Sequence, residues 1–126
     1  MVDGYNVLHA IRRFAPRGGD PAPKRAAFEC WLADAAVRHG VTACVLVWDG
    51  STAPTEGPPN LPLDVIYSGR SKTADVRLLE LCRDDYADHA ARSWVVSSDH
   101  GVQRPARELG FVVLGAMTFY RRWSTA

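Results

Sequence analysis

The chain has 126 residues, 47% of them hydrophobic and 23% charged, with a formal net charge of +1 at pH 7. That length fits one domain, residues 1–126, around one core, and the composition excludes an intrinsically disordered chain. The near-zero charge excludes a strong global field toward nucleic acid or an acidic membrane, so any such attraction must come from local patches. Cys30, Cys44 and Cys82 are widely spaced with no CxxC pair. They give neither a disulfide framework nor a zinc knuckle, and read as small buried thiols of a reducing compartment. No signal peptide opens the sequence, and no apolar run reaches the ~20 residues that a membrane span needs. A cytoplasmic protein without a membrane partner is expected.

The opening MVDGYNVLH begins with a barely started strand that meets Asp3 at once, shorter than a central strand should be. NVLHAIRRF reads as a short helix, and APRGGDPAP as a loop whose Asp20-Pro21 step starts the next one. That helix, about 21–39, carries Phe28, Trp31, Leu32, Ala35 and Ala36 on one face and stops at Gly40. TACVLVWDG is a near-continuous apolar run ending in an acid, the pattern of a parallel strand buried on both faces. STAPTEGPPNLP is a Pro- and Gly-rich loop, LDVIYS a third strand and GRSK a basic loop. Thr73 is placed to cap a helix through about residue 90. SWVVSSD is a fourth strand. GVQRPARELG is a helix in which Pro105 is tolerable only near the first turn. FVVLG is a fifth strand and AMTFYRRW a last short helix. Strands alternating with helices predict an α/β fold: a mainly parallel central sheet of about five strands, helices on both faces and right-handed crossovers.

The acids fall in a pattern. Asp3 follows the first strand, Asp49 the second and Asp99 the fourth, and Asp75 sits in the first turn of the helix opened by Thr73. In a parallel sheet the strand C-termini and the following helix N-termini share one edge, where open α/β sheets bind ligands. Singly, each acid has an ordinary explanation as a turn residue or as an acid suited to a helix dipole. Their shared address separates them from Asp64, Asp84, Asp85 and Asp88, which read as solvated surface. Four converging carboxylates repel and demand a counter-charge. Hard oxygen donors suit Mg2+ or Mn2+, which also bind phosphate oxygens and assist in-line displacement at phosphorus. The cluster thus predicts metal-dependent cleavage of a phosphodiester.

VDGYNVLH, VWDG, KTAD and VVSSDHGVQ, in this order, resemble the YacP-like branch of the NYN domains, which belong to the PIN-like nuclease group. The resemblance spans essentially the whole chain. It implies a PIN-like three-layer α/β/α fold and metal-dependent endoribonuclease activity. It carries Asp3 and Asn6 over from DGYN, Asp49 from VWDG, Asp75 from TAD and Asp99 from SSD as site residues. It also implies RNA, single-stranded mRNA in association with the ribosome, as partner. The opening strand is shorter than the family pattern and the tail ends soon after FYRRW; neither departure removes a candidate acid.

Asp3 and Asp75 are the expected main metal ligands, with Asp49 and Asp99 completing the pocket directly or through water. Asn6 is a candidate to hydrogen-bond a carboxylate or a substrate phosphate, with a helix or turn cap as the alternative. Thr73 is expected to cap and orient the helix that carries Asp75, and Ser98 to support the site or simply form a turn. Arg12, Arg13, Arg70, Lys72, Arg104 and Arg107 are candidates for phosphate contacts, against the plain reading of solvated cations; Arg70 and Lys72, close before TAD, are the better pair. Tyr5 is either a stacking ring for an unpaired base or a core aromatic. Trp31, Trp48 and Trp94 read as packing residues, while Trp123, beside Arg121 and Arg122, stays open between packing and an RNA or protein surface. His100 directly follows Asp99 and is a minor candidate for acid–base help. No Gly-rich nucleotide loop or Ser/Cys nucleophile motif is present. The leading reading is a metal-dependent endoribonuclease. Its rival is an RNA- or ribosome-binding module with a weakly active or silent acidic pocket. A phosphatase with an aspartyl nucleophile would want a second acid soon after Asp3, which DGYNVLH lacks.

Overall fold

Val2 and Asp3 form the whole of β1 (Val2–Asp3), yet this two-residue strand is the middle of the sheet. It pairs in parallel with a strand on either side, Val2 opposite both Leu46 and Val96. The computed structural model describes residues 1–11, 14, 21–50 and 63–124. In chain order, β1 is followed by α1 (Gly4–Ala10), α2 (Pro21–Arg38), β2 (Cys44–Trp48), β3 (Leu63–Tyr67) and α3 (Ala74–Asp84). A 3-10 helix (Ala87–Arg92), β4 (Trp94–Val96), α4 (His100–Glu108), β5 (Val112–Leu114) and α5 (Ala116–Ser124) complete it. The five strands lie in the order β3-β2-β1-β4-β5, and every pair is parallel.

The apolar run at 44–48 explains the layering. All five residues of β2 are buried, and alternate side chains point to opposite faces. Cys44, Leu46 and Trp48 join one core with Val7 and Leu8 of α1, Phe28 and Leu32 of α2, and Phe119 and Trp123 of α5. Val45 and Val47 join the other with Leu78 of α3 and Val102 of α4. The chain moves from β1 outward to β2 and β3, then crosses back to β4 and β5. Reversing direction across the sheet while keeping right-handed crossovers puts α3 and α4 on the face opposite α1 and α2. The expected α/β sandwich of five strands is the observed fold. Among the described residues, no helix is long and apolar enough to cross a membrane.

Several local expectations are corrected. The helix after Thr73 stops at Asp84, and the 3-10 helix covers the stretch expected to continue it. The last turn of α3 closes with the Asp85 and Tyr86 amides both donating to the Leu81 carbonyl at 3.0 Å, which ends the regular ladder there. Pro105 is the sixth residue of α4, in its second turn rather than its first. The carbonyl it leaves without a donor is that of Gly101, which is exposed to water. Cys30 is exposed, unlike the buried Cys44 and Cys82. Trp123 is a core residue at 4% exposure, with the Phe119 ring 4.5 Å away and His39 stacked on it, so it is not a surface for RNA. Asp64, Asp84, Asp85 and Asp88 are exposed as expected.

Candidate active site

Because all five strands run the same way, their C-terminal ends form one rim. The chain leaves β1 toward β2 on one side and reaches β4 on the other, so the gap between β1 and β4 is the topological switch point. Asp3 ends β1 on one side of that gap, and Ser97, Ser98 and Asp99 follow β4 on the other. Asp49 follows β2, and Asp75 is the second residue of α3. Gly4 lets α1 turn away directly after Asp3: a Cβ there would stand 2.8 Å from the Val47 carbonyl oxygen and press into the Trp48 ring. Close approach, rather than backbone conformation, therefore demands the glycine.

Asp3 is buried at 6% exposure, whereas Asp49 and Asp99 are exposed and Asp75 is half-buried. Ser97, fully buried, donates to Asp3 Oδ2 at 3.0 Å and accepts from the Asp99 amide at 3.1 Å. One hydroxyl thus ties the acids on both sides of the switch point together. Gln103 of α4, 9% exposed, holds the same serine by donating to its carbonyl oxygen at 2.7 Å. Asp99 caps α4, its Oδ1 accepting from the Gly101 amide at 2.9 Å. Asp49 takes the role expected of Thr73: its Oδ1 accepts from the Ala74 amide at 2.6 Å, satisfying a free donor at the start of α3. Thr73 occupies the cap position but its hydroxyl donates to Asp75 Oδ1 instead. Asn6 neither caps a helix nor meets a carboxylate. Its Oδ1 accepts from the Ser98 amide at 2.7 Å, and Ser98 Oγ accepts from the Ala116 amide at 2.9 Å. These two bonds join α1, the β4–α4 loop and the start of α5 across the rim.

The charges respond to this placement. Burial pushes the Asp3 carboxyl up to about 6, and the negative charges of Asp49, Asp75 and Asp99 add to the rise, against the stabilising Ser97 hydrogen bond. All three rim acids therefore act electrostatically on Asp3. Among the described residues, no three His, Cys, Asp or Glu side chains close on a single point as a ready-made metal cage.

The sequence profile of the YacP-like NYN domain matches residues 1–126. The chain belongs to this family. Rae1 (YacP) from Bacillus subtilis superposes with a TM-score of 0.82 at 22% identity, covering 98% of this chain and 72% of that one. A tryptophan-to-leucine mutant of the same Bacillus subtilis protein gives 0.79 at 24% identity, with coverages of 98% and 73%. At these identities the likeness bears on the fold. The sequence has no match among curated proteins. The NYN family fold is nuclease-like, which makes this a ribonuclease-type domain.

In the YacP-like domain, the basic candidates divide. Arg70 is exposed on the loop after β3. Lys72 is committed to Glu80, 2.7 Å away, and that bond holds the Glu80 carboxyl below its usual range. Arg104 pairs with Glu108 at 3.5 Å, and Arg107 lies in the last turn of α4, away from the rim. Arg12 and Arg13 lie outside the described residues. His100 is exposed at the start of α4. Trp31, Trp48 and Trp94 pack in or against the first core, as expected of packing rings, and Tyr5, open between stacking and core, is half-buried against the same core. Sequence reasoning missed Ser97 and Gln103. The signals were faint: Ser97 continues the alternation of β4 inward, and Gln103 borders the Val102–Ala106 stripe of α4.

Proposed function

We propose that this chain is a metal-dependent endoribonuclease that cleaves RNA phosphodiester bonds at the acidic rim, with Mg2+ or Mn2+ as cofactor. Its substrate is single-stranded mRNA in the cytoplasm, met in association with the ribosome. One observation carries the reading: a buried carboxylate, Asp3, is held at the switch point with three other acids acting on it. A fold gains nothing from concentrating negative charge around a buried acid, whereas a divalent cation turns that cost into affinity.

The donor set suits such an ion. It is all oxygen and it is open, as Mg2+ prefers when it keeps waters and takes substrate phosphate into its shell. Asp3 and Asp75 would hold the cation, with Asp49 and Asp99 reaching it through water. A bound divalent ion acidifies a coordinated water and offsets charge developing on the phosphate. The chain's own contribution is positional. Ser97 fixes Asp3, Asp49 ties β2 to α3, and the N-termini of α3 and α4 turn their positive dipole ends toward the rim, favouring a phosphate there.

The test is cleavage of a labelled single-stranded RNA with Mn2+ or Mg2+, on free RNA and again with ribosomes. Asp3→Asn and Asp75→Asn should each lower the rate by about 100-fold or more. Equal trace cleavage by the wild type and both variants would reject the enzyme. RNA binding without cleavage would then favour a binding module with a silent pocket.

A further inference from the structure

The β2–β3 end of the rim carries rings and cations that the proposed cleavage does not use. Trp48 and Tyr67 are paired neighbours at the C-terminal ends of β2 and β3. Tyr5, two residues after Asp3, lies edge-on to Trp48 with ring centroids 4.9 Å apart. Trp48 is fully buried, whereas Tyr5 and Tyr67 are only half-buried, so both residues keep surface toward solvent, with the exposed His9 ring 5.7 Å from that of Tyr5. Arg25 of α2 donates to the Tyr5 hydroxyl at 2.8 Å, which fixes that ring from its outer end. Glu29, one turn further, accepts from the Trp48 indole at 2.9 Å instead of pairing with Arg25. Among the described residues, neither Arg25 nor Arg70 takes part in an ion pair. The other end of the rim differs. His100, Met117 and Thr118, exposed at the starts of α4 and α5, bring no phenol ring and no arginine.

We propose that a single-stranded RNA leaves the acidic rim across this β2–β3 end, with an unpaired base against Tyr5 and Tyr67 and its flanking phosphates toward Arg25 and Arg70. The inference rests on the nuclease reading for why a single strand occupies the rim, and adds the direction in which it runs and the side chains that hold it. Stacking suits this role because every base has a π-face, so the contact tolerates any sequence. A duplex hides those faces and cannot make it. Among the described residues the two arginines have no ion-pair partner to compete for them, and guanidinium groups match phosphate geometry.

Binding in EDTA separates this proposal from cleavage. Fluorescence anisotropy of a short labelled single-stranded RNA should show Tyr5→Leu binding roughly 5- to 150-fold more weakly than the wild type. Tyr5→Phe, which keeps the ring, should stay within about twofold of the wild type on the same stacking argument. Arg25→Gln and Arg70→Gln should each reduce the log–log salt slope by about 0.7. A duplex of the same sequence should bind more weakly than the single strand. Tyr67→Leu provides the same reading if Tyr5→Leu does not fold. Wild-type affinity in both leucine variants, equal affinity for duplex, or no RNA binding by the wild type overturns the path. If cleavage depends on Asp3 while both leucine variants bind normally, the path falls and the nuclease stands. If the leucine variants lose binding and no protein cleaves, the nuclease falls and the path stands.

Discussion

Burial holds the Asp3 carboxyl near a pKa of 6, against an ordinary value of 3.8, and the other rim acids add to the shift. The sign follows directly. Below the unfolded value the carboxyl is neutral in both states and costs nothing. As pH rises from about 4 through 6, the unfolded chain ionises freely while the folded one resists, so stability is lost and stays lost above 6. The shift corresponds to roughly 3 kcal/mol. In EDTA, Asp3→Asn should be more stable than the wild type at pH 7.5, and the difference should vanish near pH 4 in urea unfolding. Parallel pH profiles for the two proteins would remove Asp3 as the cause. At this scale the acids themselves were legible, since each closes an apolar strand or opens a helix. Their partners were not. Ser97 meets Asp3 across 94 positions of sequence, and Asp49 meets Ala74 across 25. No local pattern marks such a pair.

Elements whose character is set by their own residues were legible, and those set by a neighbour were not. The buried run at 44–48 is a strand as its composition requires, and α2 carries Phe28, Leu32, Ala35 and Ala36 inward as its spacing requires. The second-turn position of Pro105 depended on its surroundings, since the Gly101 carbonyl that it frees reaches water. Gly4 is an example with a measurable consequence. The start of α1 lies so close to β2 that a methyl group at Gly4 meets the Val47 carbonyl and the Trp48 ring. A buried ring and a strand carbonyl have little room to yield, so Gly4→Ala should cost about 1–3 kcal/mol. Thermal unfolding should detect this as a lowered melting temperature with unchanged far-UV circular dichroism. An unchanged melting temperature would mean that α1 can slide on Trp48. The same slide would move Asp3 and Tyr5, which bracket Gly4.

For the whole molecule, the net charge of +1 conceals a local concentration of negative charge at one end of the sheet. A cation that binds only the folded rim stabilises the protein by mass action, by about 2.7 kcal/mol at 100 times its dissociation constant. Mn2+ should therefore raise the wild-type melting temperature relative to EDTA, and should not raise that of Asp3→Asn combined with Asp75→Asn. An equal rise in both proteins would place the cation elsewhere. The sequence by itself determined the α/β alternation, the common edge on which Asp3, Asp49, Asp75 and Asp99 fall, and the family. The first two follow from local periodicity and from the rule that parallel strands end on one side, and the family from the resemblance of the motifs around those acids. Only the tertiary structure decided that Asp49 rather than Thr73 caps α3, that Lys72 turns to Glu80, that Trp123 is core, and that Ser97 and Gln103 support Asp3. Those outcomes depend on which side chains meet across the sheet. That is fixed when two cores close on opposite faces at once, and no single segment encodes it.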